Sequence, residues 1–446
     1  MIGSFVRHRQ SLFFIVLIAL VIRLVVVAFL YQGQLNPRRD HWPFGYETGR
    51  IARAIATGRG FSDPVAVGSG PTAWMTPVYP YLVAGVFKLF GVYSKSSALI
   101  LLALNSLFSA LTCIPVFFMA RESFGEKTAI WAGWIWGLFP YAVLLSADMI
   151  WETCLTALLM TFLFLITLRL HHSTRLVVWA GYGVLWGAAA LTNPAVLSLL
   201  PFLGGWACCG LYQRGKRWAW QATVTLLALS IVAMPWFTRN YRTFHQFIPF
   251  RDGFWMTMHV GNNGDTSHWA PVENSAPTEA EEGEFLRLGE LNYMTAKRQE
   301  TLDFIRRHPG WFVGVTVRRV IHMWTGFWSF PASGRIEEPF DPDLPFDPLV
   351  ITLFTTLTAL AFVGLWGAFA RCNLTAWPYA FVLLFFPLVY YVTTGDLRYR
   401  HPIDPEIVVL ATYACVSRFT RTGEGRESGA GQSEPRWPKA ATPSRR

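Results

Sequence analysis

The sequence is short of charge: Asp, Glu, Lys and Arg make up 15% of its 446 residues, against about 25% in ordinary soluble domains. A chain with so few groups to offer water does not read as a soluble enzyme. Cysteine is sparse too. The six cysteines, at 113, 154, 208, 209, 372 and 415, lie within or beside apolar runs, which excludes a disulfide framework and a CxxC metal site. Familiar soluble-enzyme signatures are missing: there is no GxxxxGK[ST], HExxH or GxSxG, and no GxGxxG after a strand. No internal repeat is visible either, so the duplicated halves common in transporters are absent.

What the chain has is apolar surface, with 52% hydrophobic residues including 20 Trp, 35 Phe and 15 Tyr, far more than a solvated coil carries. Runs near spanning length fall at about 11–31, 97–120, 128–147, 149–169, 176–192, 195–212, 218–237, 349–370, 374–394 and 402–418, since a helix needs ~20 residues to cross ~30 Å of hydrocarbon. The predicted fold class is an all-α polytopic membrane protein with about ten transmembrane helices, within bounds of about eight to thirteen. Glu152 sits near the start of the fourth run, and Asp404 and Glu406 weaken the last. Arg7 and Arg9 precede the first run as in a signal peptide, but no small-residue cleavage site follows, so a retained span is expected. Residues 1–420 read as one membrane domain. The stretch 421–446, dominated by Gly, Ser, Pro and Arg, reads as a disordered cytoplasmic tail.

The net charge of +10 is explained by where Lys and Arg lie. They collect in alternate short connections, at Arg121 and Lys127, Arg169 and Arg175, Arg214 to Arg217, Arg371, and in both terminal segments. This places both termini in the cytoplasm and makes a nucleic-acid partner superfluous. Two long loops, 32–96 and 238–348, then fall outside; the second holds 11 Lys plus Arg against 15 Asp plus Glu. Loops of this length usually carry function. In the first, Glu47 opens a segment with Ile51 and Ile55 on one face and Arg50 and Arg53 on another, ended by Gly58 and Gly60, which predicts a short interfacial helix. Residues 77–93 are apolar but short, and predict a second. In the other loop, Glu279 to Arg307 is helix-permissive, and Trp311 to Trp328 has the mixed pattern of a helix lying on the membrane.

Ionisable groups at the outer ends of spans are functional candidates by default. One set is Asp40 and Glu47 in the first loop, where partial desolvation would suit a carboxylate to proton abstraction. Asp148 and Glu152 lie one helical turn apart and can share a face, as acceptor or metal contacts or simply as helix-terminus acids. In PWFTRNYRTFHQFIPFRDG, Arg239, Asn240 and Arg251 could grip a phosphate at headgroup depth through guanidinium forks. In GDLRYRHPIDPE, Arg398, Tyr399, Arg400 and His401 put positive charge on an outer connection, against the topology rule, which points to a specific anion. Arg23, midway in the first span, is expected to face protein or to snorkel.

These residues resemble something known. FGYETGRIARAIATGRGFSDP followed by TAWMTPVYPYLVAGVFKLFG, then PWFTRNY and GDLRYRHPIDPE, are similar to the bacterial branch of the glycosyltransferase C superfamily. More narrowly, they resemble the family of protein O-mannosyltransferases and the lipid A aminoarabinose transferase (glycosyltransferase family 39-like). The resemblance covers about residues 10–418 in topology, with specific motifs confined to the first loop, 235–263 and 395–406. It implies an inverting transferase that moves a sugar from a polyprenyl-phosphate carrier to an acceptor hydroxyl on the outer face of the cytoplasmic membrane. The acceptor would be protein, lipid or cell-wall glycan. It also implies an acidic residue of the first loop as base or acceptor guide. Glu47 lies in the matching stretch. Many members carry an adjacent Asp-Glu pair where this chain has Phe44, Gly45, Tyr46 and Glu47, so Asp40 stays open as the alternative base. Superfamily members differ in metal use, and a divalent metal stays open as a cofactor. The competing readings are a lipid-linked saccharide flippase or secondary transporter, and an assembly factor without catalysis.

Overall fold

The computed structural model describes residues 11–30, 44–263, 279–327 and 347–427. Asp40 and most of the expected tail lie outside them. The described chain is helical, with one isolated bridge between Ser62 and Pro71 in place of any strand. The helices are α1 (Leu12–Leu30), α2 (Glu47–Ala56), α3 (Val78–Phe90), α4 (Lys95–Leu111), α5 (Cys113–Phe124), α6 (Glu126–Leu138), α7 (Pro140–Asp148), α8 (Thr153–Leu170), α9 (Leu176–Ala190) and α10 (Leu200–Gln213). They continue as α11 (Ala219–Phe244), α12 (Phe254–Gly261), α13 (Glu279–Leu288), α14 (Glu290–Arg307), α15 (Pro309–Thr325), α16 (Asp347–Ala370), α17 (Ala376–Phe385), α18 (Leu388–Val392) and α19 (Asp404–Glu427).

Every expected apolar run is helical, and the protein is an all-α polytopic membrane protein. Among the described residues, 6 helices are long and apolar enough to cross a membrane, or 7 if the pair α6 and α7, bent by 41°, forms one span. Shorter apolar helices cover Leu176–Ala190 and Ala376–Val392. Helix α19 fails an apolarity test, yet residues 400–414 are all buried. It packs against α16 and α6. It also runs past residue 421, to Glu427, into the stretch read as disordered tail.

Arg23 faces protein. Pro140 has no N–H, so the bend before α7 strands carbonyls at the end of α6. Arg23 Nη1 donates to Gly137 O at 2.8 Å, Nη2 to Trp136 O at 3.4 Å and Nε to Ser109 Oγ at 3.0 Å. A buried cation thus satisfies the groups that the proline frees, in a setting where no water could. Elsewhere small residues let helices touch. A Cβ at Gly187 on α9 would stand 2.7 Å from Val232 Cβ on α11, and one at Gly183 would overlap Thr225 O. This is the close approach that membrane helices use in place of a hydrophobic drive.

The short basic connections meet at one end of the bundle, where Arg169 pairs with Glu122 at 2.8 Å and Asn373 donates to Ser123 O at 2.9 Å. The connections around 149–152, 193 and 396–404 gather at the other end, under the two long loops. Both loops carry the expected helices: α2 and α3 in the first, α12 to α15 in the second.

Candidate functional site

Three segments distant in sequence meet at Trp151. The first is the turn entering α2: a Cβ at Gly45 would lie 3.3 Å from the Trp151 ring and 3.4 Å from Ile150 O. Glycine is needed there for space and for its φ of +64°. Tyr46 follows with φ 24°, a costly conformation for a side-chain-bearing residue, and Glu47 then opens the helix. The second segment is the break between α7 and α8, where Asp148 ends one helix and Glu152 precedes the next. The third is the short turn Leu397–Tyr399, whose Arg398 guanidinium lies 3.8 Å over the Trp151 ring.

Arg398 is buried and held from several sides. Its backbone N–H donates to Asp396 Oδ1 at 2.9 Å, its Nε pairs with Asp396 Oδ2 at 3.1 Å, and its Nη2 donates to Tyr399 Oη at 2.9 Å. Burial works against its charge, but Tyr399, Asp396 and Glu152 outweigh that and raise its pKa, so the cation is secure. Tyr399 stacks on Tyr390 with centroids 4.6 Å apart. Tyr390 Oη accepts from Asn193 Nδ2 at 3.4 Å, and the charges of Arg251 and Glu152 both bear on it. Glu152 sits at the N-terminus of α8, where the helix dipole favours an anion. Its Oε2 is buried with no hydrogen-bond partner. A lone carboxylate oxygen beside a fixed guanidinium, under an aromatic wall, can take a donor from a ligand.

The structure therefore brings Glu47, Asp148, Glu152, Arg251, Arg398 and Tyr399 to one end of the bundle. The other sequence candidates are engaged elsewhere. Arg239 Nη1 donates to Thr72 O at 2.6 Å and its Nη2 to Phe61 O at 2.7 Å, with its guanidinium over the Phe61 and Trp236 rings. Asn240 is buried and donates to Ile248 O at 3.0 Å. These two bind the end of α11 to the first loop and the following turn. Arg400 is wholly buried, with Nε 2.8 Å from Asp404 Oδ1 and Nη1 donating to Met323 O, Trp324 O and Thr358 Oγ1. His401 is equally buried, stacked on Trp136 at 5.4 Å with Nδ1 3.5 Å from Asp404 Oδ2. Both side chains are buried in the packing at the start of α19.

Sequence reasoning passed over Trp151, Asn193, Tyr390 and Asp396. Asp396 and Trp151 each adjoin or nearly adjoin a residue it chose, and that adjacency was the available signal. As for a metal, no group of three His, Cys, Asp or Glu side chains among the described residues is placed to hold an ion. Those residues do not fit a complete metal site.

Residues 73–237 match the family model described as dolichyl-phosphate-mannose-protein mannosyltransferase. The chain resembles the glycosyltransferase C family. Among solved structures, the Archaeoglobus fulgidus oligosaccharyltransferase AglB, in complex with an inhibitory peptide and a dolichol-phosphate, aligns at a TM-score of 0.54 and 15% identity, over 94% of this chain and 52% of that one. The same enzyme in complex with Zn and sulfate aligns at 0.50 and 15% identity, over 91% and 50%. Identity this low shows a common fold, and the chain spans about half the length of these structures. ArnT from Cupriavidus metallidurans bound to undecaprenyl phosphate also aligns, at a TM-score of 0.37 and 15% identity, over 95% and 81%. That score does not establish a shared fold. No curated protein matches the chain significantly.

Proposed function

We propose that the protein moves a sugar from a polyprenyl-phosphate-linked donor to an acceptor hydroxyl on the outer face of the cytoplasmic membrane, with inversion at the anomeric carbon. The observation that carries this reading is the meeting of the Glu47 turn, Glu152 and Arg398 around Trp151 at one end of a membrane bundle. Transfer of this kind needs a base for the acceptor hydroxyl and a cation for the departing phosphate. Glu47 takes the hydroxyl proton as the acceptor oxygen bonds to the anomeric carbon. The bond from that carbon to the phosphate oxygen breaks, and the electron pair leaves on the carrier phosphate beside Arg398. Glu152 orients the acceptor or a sugar hydroxyl through its unpartnered oxygen, and Tyr399 with Tyr390 offers a flat aromatic face to the sugar. A lipid-phosphate donor suits the fold shared with AglB, which was solved with a dolichol-phosphate. An outer site accords with the basic asymmetry of the short connections, which argues for cytoplasmic termini.

The test is transfer of a labelled sugar from polyprenyl phosphate by the purified protein in liposomes. Glu47→Gln should keep carrier binding and lower turnover by roughly 10²–10⁴-fold. Near-normal turnover in that variant, with an inactive Asp40→Asn, moves the base to Asp40. Absence of transfer to any hydroxyl acceptor, with carrier instead appearing in the opposite leaflet, favours the flippase reading.

A further inference from the structure

The first long loop is gripped a second time, away from Trp151, by two acids that the proposed reaction does not use. Glu290, at the start of α14, accepts the Ala73 N–H on Oε1 at 2.5 Å, and the backbone N–H of Asp252 donates to Ala73 O at 3.0 Å. Both sides of one residue's backbone are thus held by the second loop. The next residues are pinned by packing: a Cβ at Gly253 would stand 2.8 Å from Trp74 O and 2.9 Å from its ring, while Trp74 lies against Phe285 and Tyr293. The two carboxyls also meet each other. Among the described residues no hydrogen bond of good geometry reaches either Asp252 side-chain oxygen or the Glu290 Oε2, although the two side chains are in contact with each other and the Thr72 hydroxyl also bears on Glu290. Two carboxylates cannot share such a contact, but an acid and a carboxylate can.

We propose that Asp252 and Glu290 hold one proton between them and act as positioning residues, clasping the first long loop to the second so that the Glu47 turn stays seated at Trp151. The link to catalysis rests on the function proposed above; the clasp itself does not. Burial raises both groups, Asp252 to about 6 and Glu290 well above the usual carboxylate range, and for Glu290 the Asp252 charge adds to the effect. Arg251 beside Asp252, and Arg239, whose charge interacts with Glu290, are the cations that bear on the pair. A carboxyl raised in the fold contributes stability that is full below its unfolded value and is lost as pH rises through its folded value. With one proton held between the two carboxyls, the clasp weakens on the alkaline side as Glu290 gives up its proton and two anions face each other.

The experiment follows the Ala73 amide by hydrogen exchange in the full-length protein in lipid nanodiscs, as a protection factor against pH, alongside transfer. In the unmodified protein, protection should fall about tenfold or more between neutral and strongly alkaline pH. Glu290→Gln, which keeps a donor toward Asp252 and cannot ionise, should remove that fall. Asp252→Asn should also flatten the profile, and Glu290→Ala should lower protection at every pH. A Glu290→Gln profile that falls as steeply as the unmodified one, or unchanged Ala73 protection in Glu290→Ala, overturns the clasp. If exchange follows the prediction but no variant transfers sugar, the clasp stands and the functional reading falls. If transfer occurs and its alkaline limb is unaltered by Glu290→Gln, the positioning role is wrong.

Discussion

Arg398 and Arg400 are two residues apart, and the structure gives them different work; Asp404→Asn separates them. Arg400 and Asp404 are both 0% exposed and 2.8 Å apart. Their contact arises because Arg400 enters a helix whose first residue is Asp404, four positions on. Removing one charge leaves the other buried and uncompensated, which costs about 3–5 kcal/mol. That corresponds to roughly a hundredfold or more in a folding equilibrium. The carbonyls of Met323 and Trp324 still accept from Arg400, so the low end of the range is expected. Thermal unfolding in detergent, followed by size-exclusion recovery, reads the loss as a melting point lowered by several degrees. Carrier affinity and turnover of the protein that remains folded should stay within about twofold of the unmodified protein. An unchanged melting point, or a selective loss of carrier affinity in fully stable protein, would return Arg400 to the ligand and refute the argument.

Arg398→Lys keeps a charge but loses the planar contact with Trp151, and should lower turnover by about tenfold or more with little change in melting point. Glu152→Gln, which keeps size and removes charge, should weaken acceptor use more than carrier binding, read as a rise in acceptor KM. Gly187→Leu should push α9 off α11 and reduce the yield of folded protein, by a cost of about 1–3 kcal/mol; a normal yield and melting point would mean that the crossing is looser than drawn.

The spans were legible because hydrocarbon thickness sets a length that any apolar run must meet. The 128–147 run read as one span, so neither the bend at Pro140 nor the filling of its gap by Arg23, more than a hundred positions away, was legible. Helix α19 read as the weakest span because Asp404 and Glu406 carry charge, and hydropathy cannot see that protein surrounds it on the sides that matter. The same blindness affected the site. Arg398, Arg400 and His401 looked alike in a basic turn, and only the onset of helix at residue 404 decides which of them turns inward. Arg239 was legible as an outer arginine, but its two carbonyl partners come from Phe61 and Thr72, which no local pattern ties to it. The Asp252 and Glu290 pair was invisible for a related reason, since nothing local ties two acids so far apart in sequence to one buried contact.

The most direct measurement is turnover and carrier binding together for Glu47→Gln and Arg398→Lys, in liposomes loaded with a labelled polyprenyl-phosphate sugar. If the Glu47 turn and Arg398 form one catalytic site, Glu47→Gln binds carrier normally and turns over roughly 10²–10⁴-fold more slowly, while Arg398→Lys loses both turnover and carrier affinity. Full transfer activity in both variants would contradict the site and the reaction assigned to it.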